Sequence, residues 1–259
     1  MEFLAVSLLS ATLLGLGMAG SIETGYRIGR RRLIRDPERT IEGFSAVENS
    51  IFGILGLLLA LTFTGTLSRY ENRVHLVLKE ANAISTAYHN LDALPKQDQA
   101  KLRPLYNDYV QSRIQVFRYY DDRERSNAYF RQSLALQDKI WVIASASVLK
   151  DKNRGIITLV LTSTGEMMNV ANERLQATRT HPPLIVYILL FALALASAFM
   201  VGQDMSVNSK RPLFYMIIFC LTISLITFII IDLENPRVGL TRINIQGDKI
   251  LLETLSHMK

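Results

Sequence analysis

Residues 213–231 read LFYMIIFCLTISLITFIII, an unbroken run with no charge, no proline and no glycine. A helix needs about 20 apolar residues to cross roughly 30 Å of hydrocarbon. Inside lipid the backbone N–H and C=O groups find partners only within the segment, so a run of this kind must be helical. This stretch predicts a transmembrane helix, and it sets the class of the whole chain.

Reading outward, three further windows behave the same way. Pro183 to Gly202 carries no charge, and neither does Phe3 to Ile22. The fourth, Phe44 to Leu67, is interrupted by Glu48 and Asn49 and is fully apolar only from Ile51. The first window could instead be a secretory signal peptide, with Gly17 and Ala19 before a cut. Its start carries Glu2 and no Lys or Arg, which is the wrong sign for such a peptide. The sequence therefore predicts an all-α membrane protein with four transmembrane helices.

Between the second and third windows lies a charged segment of a different character. Helical spacing runs through Val74, Val77, Ala81, Ile84, Tyr88 and Leu91. It recurs in Phe130, Leu134, Gln137, Trp141, Ala144 and Val148, and again in Ile157, Leu161, Thr164, Met168, Ala171, Leu175 and Thr178. Leu102, Tyr106, Tyr109, Val116 and Tyr120 follow it less regularly. Such stripes are the seams of helices packed side by side. Pro95, the Asp121-Asp122 pair with Ser126, and Asp151, Asn153 and Gly155 mark the turns. Four antiparallel helices would return the chain to the membrane surface that it left. The first of them should continue the second membrane helix without a break.

The expected organisation is a first transmembrane hairpin over 1–67 with a basic loop at 23–43, a helical bundle over 68–182, a second hairpin over 183–232 and a tail over 233–259. In the tail, Val238, Leu240, Ile243 and Ile245 mostly alternate with polar residues and suggest a short strand or extended segment. Asp248 to Met258 suits a short amphipathic helix.

Arg27, Arg30, Arg31, Arg32, Arg35 and Arg39 fall between the first two windows. Short loops rich in Arg and Lys stay in the cytoplasm. Lys210 and Arg211, between the last two windows, agree. That orientation predicts a bacterial inner (plasma) membrane protein with a periplasmic central domain.

The chain has 259 residues, a net charge of +6 and one cysteine, Cys220, inside an apolar run. A lone thiol excludes an intrachain disulfide and a cysteine-based zinc site. His75, His89, His181 and His257 lack metal-ligand spacing, and no phosphate-binding loop, dinucleotide motif or nucleophile elbow is present. We expect no enzyme, no cofactor, no metal and no nucleic-acid partner. The expected partners are the lipid bilayer, further copies of the chain and inorganic ions.

The second window carries the candidate site. At about 100° per residue, Glu48, Phe52, Leu55, Leu59, Phe63 and Thr66 share one stripe, read as pore-lining. An intramembrane carboxylate followed by an apolar constriction is how some ion pathways are built. The plainer reading is that Glu48 lies at the cytoplasmic interface beside the arginines. Asn49, Gly53, Gly56, Ala60 and Thr64 share a second stripe, about a quarter-turn away. Gly53, Gly56, Ala60 and Thr64 are small enough for close helix packing.

Arg69-Tyr70-Glu71-Asn72-Arg73, then Glu80-Ala81-Asn82-Ala83-Ile84, Tyr88 and Leu94-Pro95 form a block that resembles the bacterial bestrophin-like domain family of membrane proteins. The likeness continues through Leu102-Arg103, Tyr109, Arg113 and Trp141 to Asp232-Leu233-Glu234-Asn235-Pro236 and Gly239. Within that block Arg69, Arg73, Glu80 and Asn82 stand out. We read them mainly as bundle chemistry, with Arg113 or Arg174 as partners for Glu80. The resemblance implies a pentameric anion channel with four membrane helices and a large helical domain between the second and third. It also implies a cytoplasmic domain, against the arginine loop, and here the local charge ranks higher. Two functions follow: an oligomeric ion channel lined by the second helix, or a membrane-anchored sensory or scaffolding protein whose bundle binds a ligand or partner.

Overall fold

The computed structural model describes residues 2–35, 44–119, 122–149, 153–206, 213–234 and 244–258. Among these residues there is no strand. The elements are α1 (Glu2–Arg35), α2 (Phe44–Asn90), α3 (Lys96–Arg118), α4 (Arg123–Val148), α5 (Arg154–Arg179), α6 (Leu184–Met205), α7 (Leu213–Glu234) and α8 (Asn244–His257). Four stretches are long and apolar enough to cross a membrane: Ala5–Arg35, Ala46–Ala93, Arg154–Met205 and Leu213–Glu234.

The chain divides into two compact units. One comprises Met1–Ser68 and His181–Asn235, the other Arg69–Thr180 and Pro236–Lys259. α2 runs from the first into the second as one helix of 47 residues.

In the first unit, Leu14, Met18 and Ile22 of α1 form a core with Leu190, Ala194 and Ala198 of α6 and Ile223 and Ile230 of α7. Leu55 and Leu59 of α2 join it. α1 and α6 approach closely because glycine leaves their backbones bare. A Cβ placed on Gly25 would lie 2.1 Å from the Phe199 carbonyl oxygen, and one on Gly202 would lie 2.1 Å from that of Ile22. Gly25 and Gly29 stand four apart, the small-residue spacing of close membrane helices, a signal our reading of the sequence passed over.

The basic segment expected as a loop over 23–43 is helical as far as Arg35, so five of its six arginines ride on the end of α1. The physical reason is local. Arg27 Nε donates to Glu23 Oε1 at 2.7 Å one turn back, and nothing before Arg35 breaks the helix.

In the second unit the turns are built by the residues that mark them. A 3-10 turn over Leu91–Ala93 follows α2, and Leu94 is extended because Pro95 follows it. Gln99 Nε2 donates to the Leu94 carbonyl at 2.7 Å. Asp122 caps α4 by accepting from the Arg125 amide at 3.1 Å, and Asn153 caps α5 by accepting from the Gly155 amide at 2.9 Å.

Two seams differ from the sequence reading. On α4, Leu134 and Trp141 are 37% and 41% exposed, and the buried line is Ser133, Leu136, Gln137, Ile140, Ala144 and Val148. On α5 the buried residues are Val160, Ser163, Thr164, Met167, Val170, Ala171 and Arg174, so the expected series holds at Thr164 and Ala171 and the line widens to the position before it. Polar residues hold buried places here because the core contains hydrogen-bond partners for them, which a hydrophobic pattern does not register.

The alternating tail residues Val238 to Ile243 lie outside the described residues, and Ile245 is helical rather than extended. α8 covers the helix expected from Asp248. Its Leu251, with Met258 just beyond its end, is buried in the core of the second unit. Tyr88 Oη donates to the Met258 carbonyl, and Arg103 Nη1 donates to Tyr88 Oη at 3.1 Å.

Candidate functional site

The apolar part of α2 has three distinct faces. Leu55, Leu59 and Thr66 are buried and Glu48, Phe52 and Phe63 half-buried, with the Phe52 ring edge-on to Phe219 at 6.0 Å. This is the stripe expected to line a pore. Its Leu55, Leu59 and Thr66 pack inside the first unit.

The second stripe is open. Asn49, Gly53, Gly56, Ala60 and Thr64 are all exposed, and an added Cβ at Gly53 or Gly56 would meet nothing within 4 Å. A third face carries the exposed large apolar residues Val47, Ile54, Leu57 and Leu61, a surface suited to lipid tails.

Farther along the same helix is Glu80, fully buried. Arg113 Nε of α3 donates to its Oε1 at 2.6 Å, and Arg174 Nη1 of α5 donates to its Oε2 at 2.6 Å. The carboxylate thus ties three helices through charge-assisted bonds. Both predicted partners are present together. Burial alone would push the Glu80 carboxyl up, but the charges and hydrogen bonds of Arg113 and Arg174 outweigh it and hold the group down at about 2. The Arg174 guanidinium lies 3.5 Å from the centroid of the Phe117 ring, a cation–π contact.

Two buried tyrosines flank this centre. Tyr106 Oη lies 3.0 Å from Thr164 Oγ1, and Gln137 Nε2 donates to Tyr109 Oη at 3.1 Å. Burial pushes both phenols up to about 12. The sequence reading singled out neither Tyr106 nor Tyr109 for chemistry. Their signal was a tyrosine on an apolar stripe, which needs a partner when buried.

Of the other block residues, Arg73 is buried and donates to the carbonyls of Ala177 at 3.0 Å and Thr180 at 2.9 Å, closing the C-terminal end of α5. Arg69 is half-buried. Asn82 is exposed and takes no part in the Glu80 centre. Among the described residues no three His, Cys, Asp or Glu side chains gather as a metal site.

Long apolar helices flanking an all-helical domain define a helical membrane protein. The particular family follows from the sequence itself: the model of the Bestrophin-like domain matches residues 25–246, and the chain belongs to that family. No curated protein matches it. The fold is similar to crystal structures of a bacterial bestrophin homologue from Klebsiella pneumoniae. One mutant form aligns over 97% of this chain and 98% of its own at 14% identity, with a TM-score of 0.61. A second mutant form aligns over 97% and 99% at 14% identity, with a TM-score of 0.55.

Proposed function

We propose that this chain is the subunit of an oligomeric ion channel in the bacterial plasma membrane, lined by α2. The carrying observation is the open small face of α2, Asn49, Gly53, Gly56, Ala60 and Thr64, on a helix whose neighbouring face, about a quarter-turn away, is packed. Placed around a common axis, such faces let copies of α2 come close. They also turn two polar side chains and bare backbone toward water rather than lipid. Membership of the Bestrophin-like family supports the reading.

In this arrangement the four apolar helices form two hairpins in the bilayer. The segments between them form an antiparallel bundle, outside the membrane on the side away from the α1 arginines. By the charge rule that side is the periplasm. The Glu80 centre holds the far part of α2 to α3 and α5 within the second unit.

The test is purified protein in planar bilayers. Discrete conductance that falls with Gly56→Phe is expected, because the added ring projects from the open face. Bilayers silent in several salts and at several pH values would remove the channel reading.

A further inference from the structure

Along α1, Leu9, Leu13, Leu16, Gly20, Arg27 and Arg31 recur at intervals of three, four and seven residues, so at about 100° per residue they share one stripe. All six are exposed. Leu14, Met18 and Ile22, in the core of the first unit, take the other side of the helix, together with Gly25 against Phe199 of α6. The outward face of α1 thus changes character along its length. Leucines come first, then bare backbone at Gly20, where an added Cβ would meet nothing within 4 Å, then arginines.

The rise along this stripe suits one lipid. Leu16 and Arg31 are 15 positions apart, about 22 Å along the axis, and half of a bilayer of roughly 40–45 Å with its headgroups is as deep. The charge suits an anionic one. Arg27 Nε is committed to Glu23 Oε1 at 2.7 Å. Arg30, Arg31, Arg32 and Arg35 are exposed, and among the described residues none of them has a carboxylate partner. α6 ends at Met205, and its next residue, Ser206, already meets Gly29, so Arg30 to Arg35 run on past the helix that α1 packs against. A guanidinium grips phosphate through two parallel N–H bonds, and basic clusters at the end of a membrane helix draw anionic lipid.

We propose that the outward face of α1 binds an anionic phospholipid, its phosphate on Arg31 and Arg35 and its chains along Leu13 and Leu16. The inference stands whether or not the protein conducts.

The experiment uses the whole protein in a neutral detergent. Phosphatidylglycerol, or phosphatidylcholine with the same chains, is titrated at constant salt while the melting midpoint is followed. We expect phosphatidylglycerol to raise the midpoint to a plateau and phosphatidylcholine to leave it unmoved. Arg31→Gln combined with Arg35→Gln should weaken the apparent affinity at least about tenfold. An equal response to both lipids, or an unchanged titration in the double variant, overturns the proposal. So does a double variant that binds the lipid as wild type does but changes oligomeric mass, which would make this face a contact between copies. Should the double variant fail to fold, wild-type protein is crosslinked to phosphatidylglycerol carrying a photoreactive group on one chain. Label on α1 between Leu9 and Gly20 upholds the site, and label confined to other helices overturns it.

Discussion

Glu80 on α2 and Arg174 on α5, 94 positions apart, meet at 2.6 Å between carboxylate Oε2 and guanidinium Nη1, with solvent all but excluded from both. Removing one partner of a buried pair leaves an uncompensated charge and costs about 3–5 kcal/mol. Glu80→Gln keeps the shape and strands two guanidiniums. Its melting midpoint should fall on the order of 10 °C in detergent. Asn82→Ala, exposed and two residues away, should stay within about 0.5 kcal/mol of wild type. Equal melting of Glu80→Gln and wild type would show that the centre contributes nothing to stability.

The same centre sets an acid limit. The Glu80 carboxyl is held at about 2 in the folded chain, against an ordinary value of 4.5. A depressed carboxyl contributes stability that is present above its unfolded pKa and lost as pH falls toward the folded one. Stability from this source should be constant from neutral pH to about 4.5 and then decline toward about 2, by on the order of 3 kcal/mol in all. Melting curves from pH 7 to pH 3 measure it. In Glu80→Gln the step assigned to this group should vanish, and a step that persists belongs to another carboxylate.

The glycine seam between α1 and α6 gives a sharp contrast. Gly25→Ala and Gly202→Ala each drive a methyl group to 2.1 Å from backbone oxygen, which the helices relieve only by separating. Overpacking of this kind costs about 1–3 kcal/mol or more. Gly20→Ala, with nothing within 4 Å of the new Cβ, should behave as wild type. Thermal unfolding of the three variants in one detergent makes the comparison.

On α2, side-chain size should act differently on the two stripes. Gly56→Phe should leave the melting midpoint of the isolated subunit near wild type and reduce conductance at least about tenfold, a barrier of about 1.4 kcal/mol. Leu55→Ala hollows the packed face and should lower stability instead. Conductance lost equally in both variants would break the assignment of the open face to the pore.

Orientation is checked by fusions. Alkaline phosphatase joined after Lys150 should be active, and a fluorescent protein joined after Arg39 should fluoresce. The reverse pattern would place the bundle in the cytoplasm and show that the arginines on α1 do not control insertion.

Much of the helical skeleton was legible because its punctuation is local. Pro95, Asp122 and Asn153 act within a few residues of themselves, and each stands where a helix ends or begins. The pairing of Glu80 with Arg113 and Arg174 was legible because a carboxylate beside an apolar seam needs a partner on a neighbouring helix. Which stripe of α2 packs inward was not legible. In lipid, large apolar residues suit both the tails and the core, so Leu55 and Leu57 look alike in sequence. The displaced part of the α4 seam was hidden for a related reason: Ser133 is buried, while Leu134 and Trp141 are not.

The unbroken α2 also fixes a phase. Glu80 lies 27 positions beyond Gly53 in one helix, roughly seven and a half turns at about 100° per residue. Inserting or deleting a single residue between them would swing the small stripe by about 100° relative to Glu80. Length in this stretch is thus a dial setting, and a chain altered by one residue would have to choose which of its two ends to keep in register.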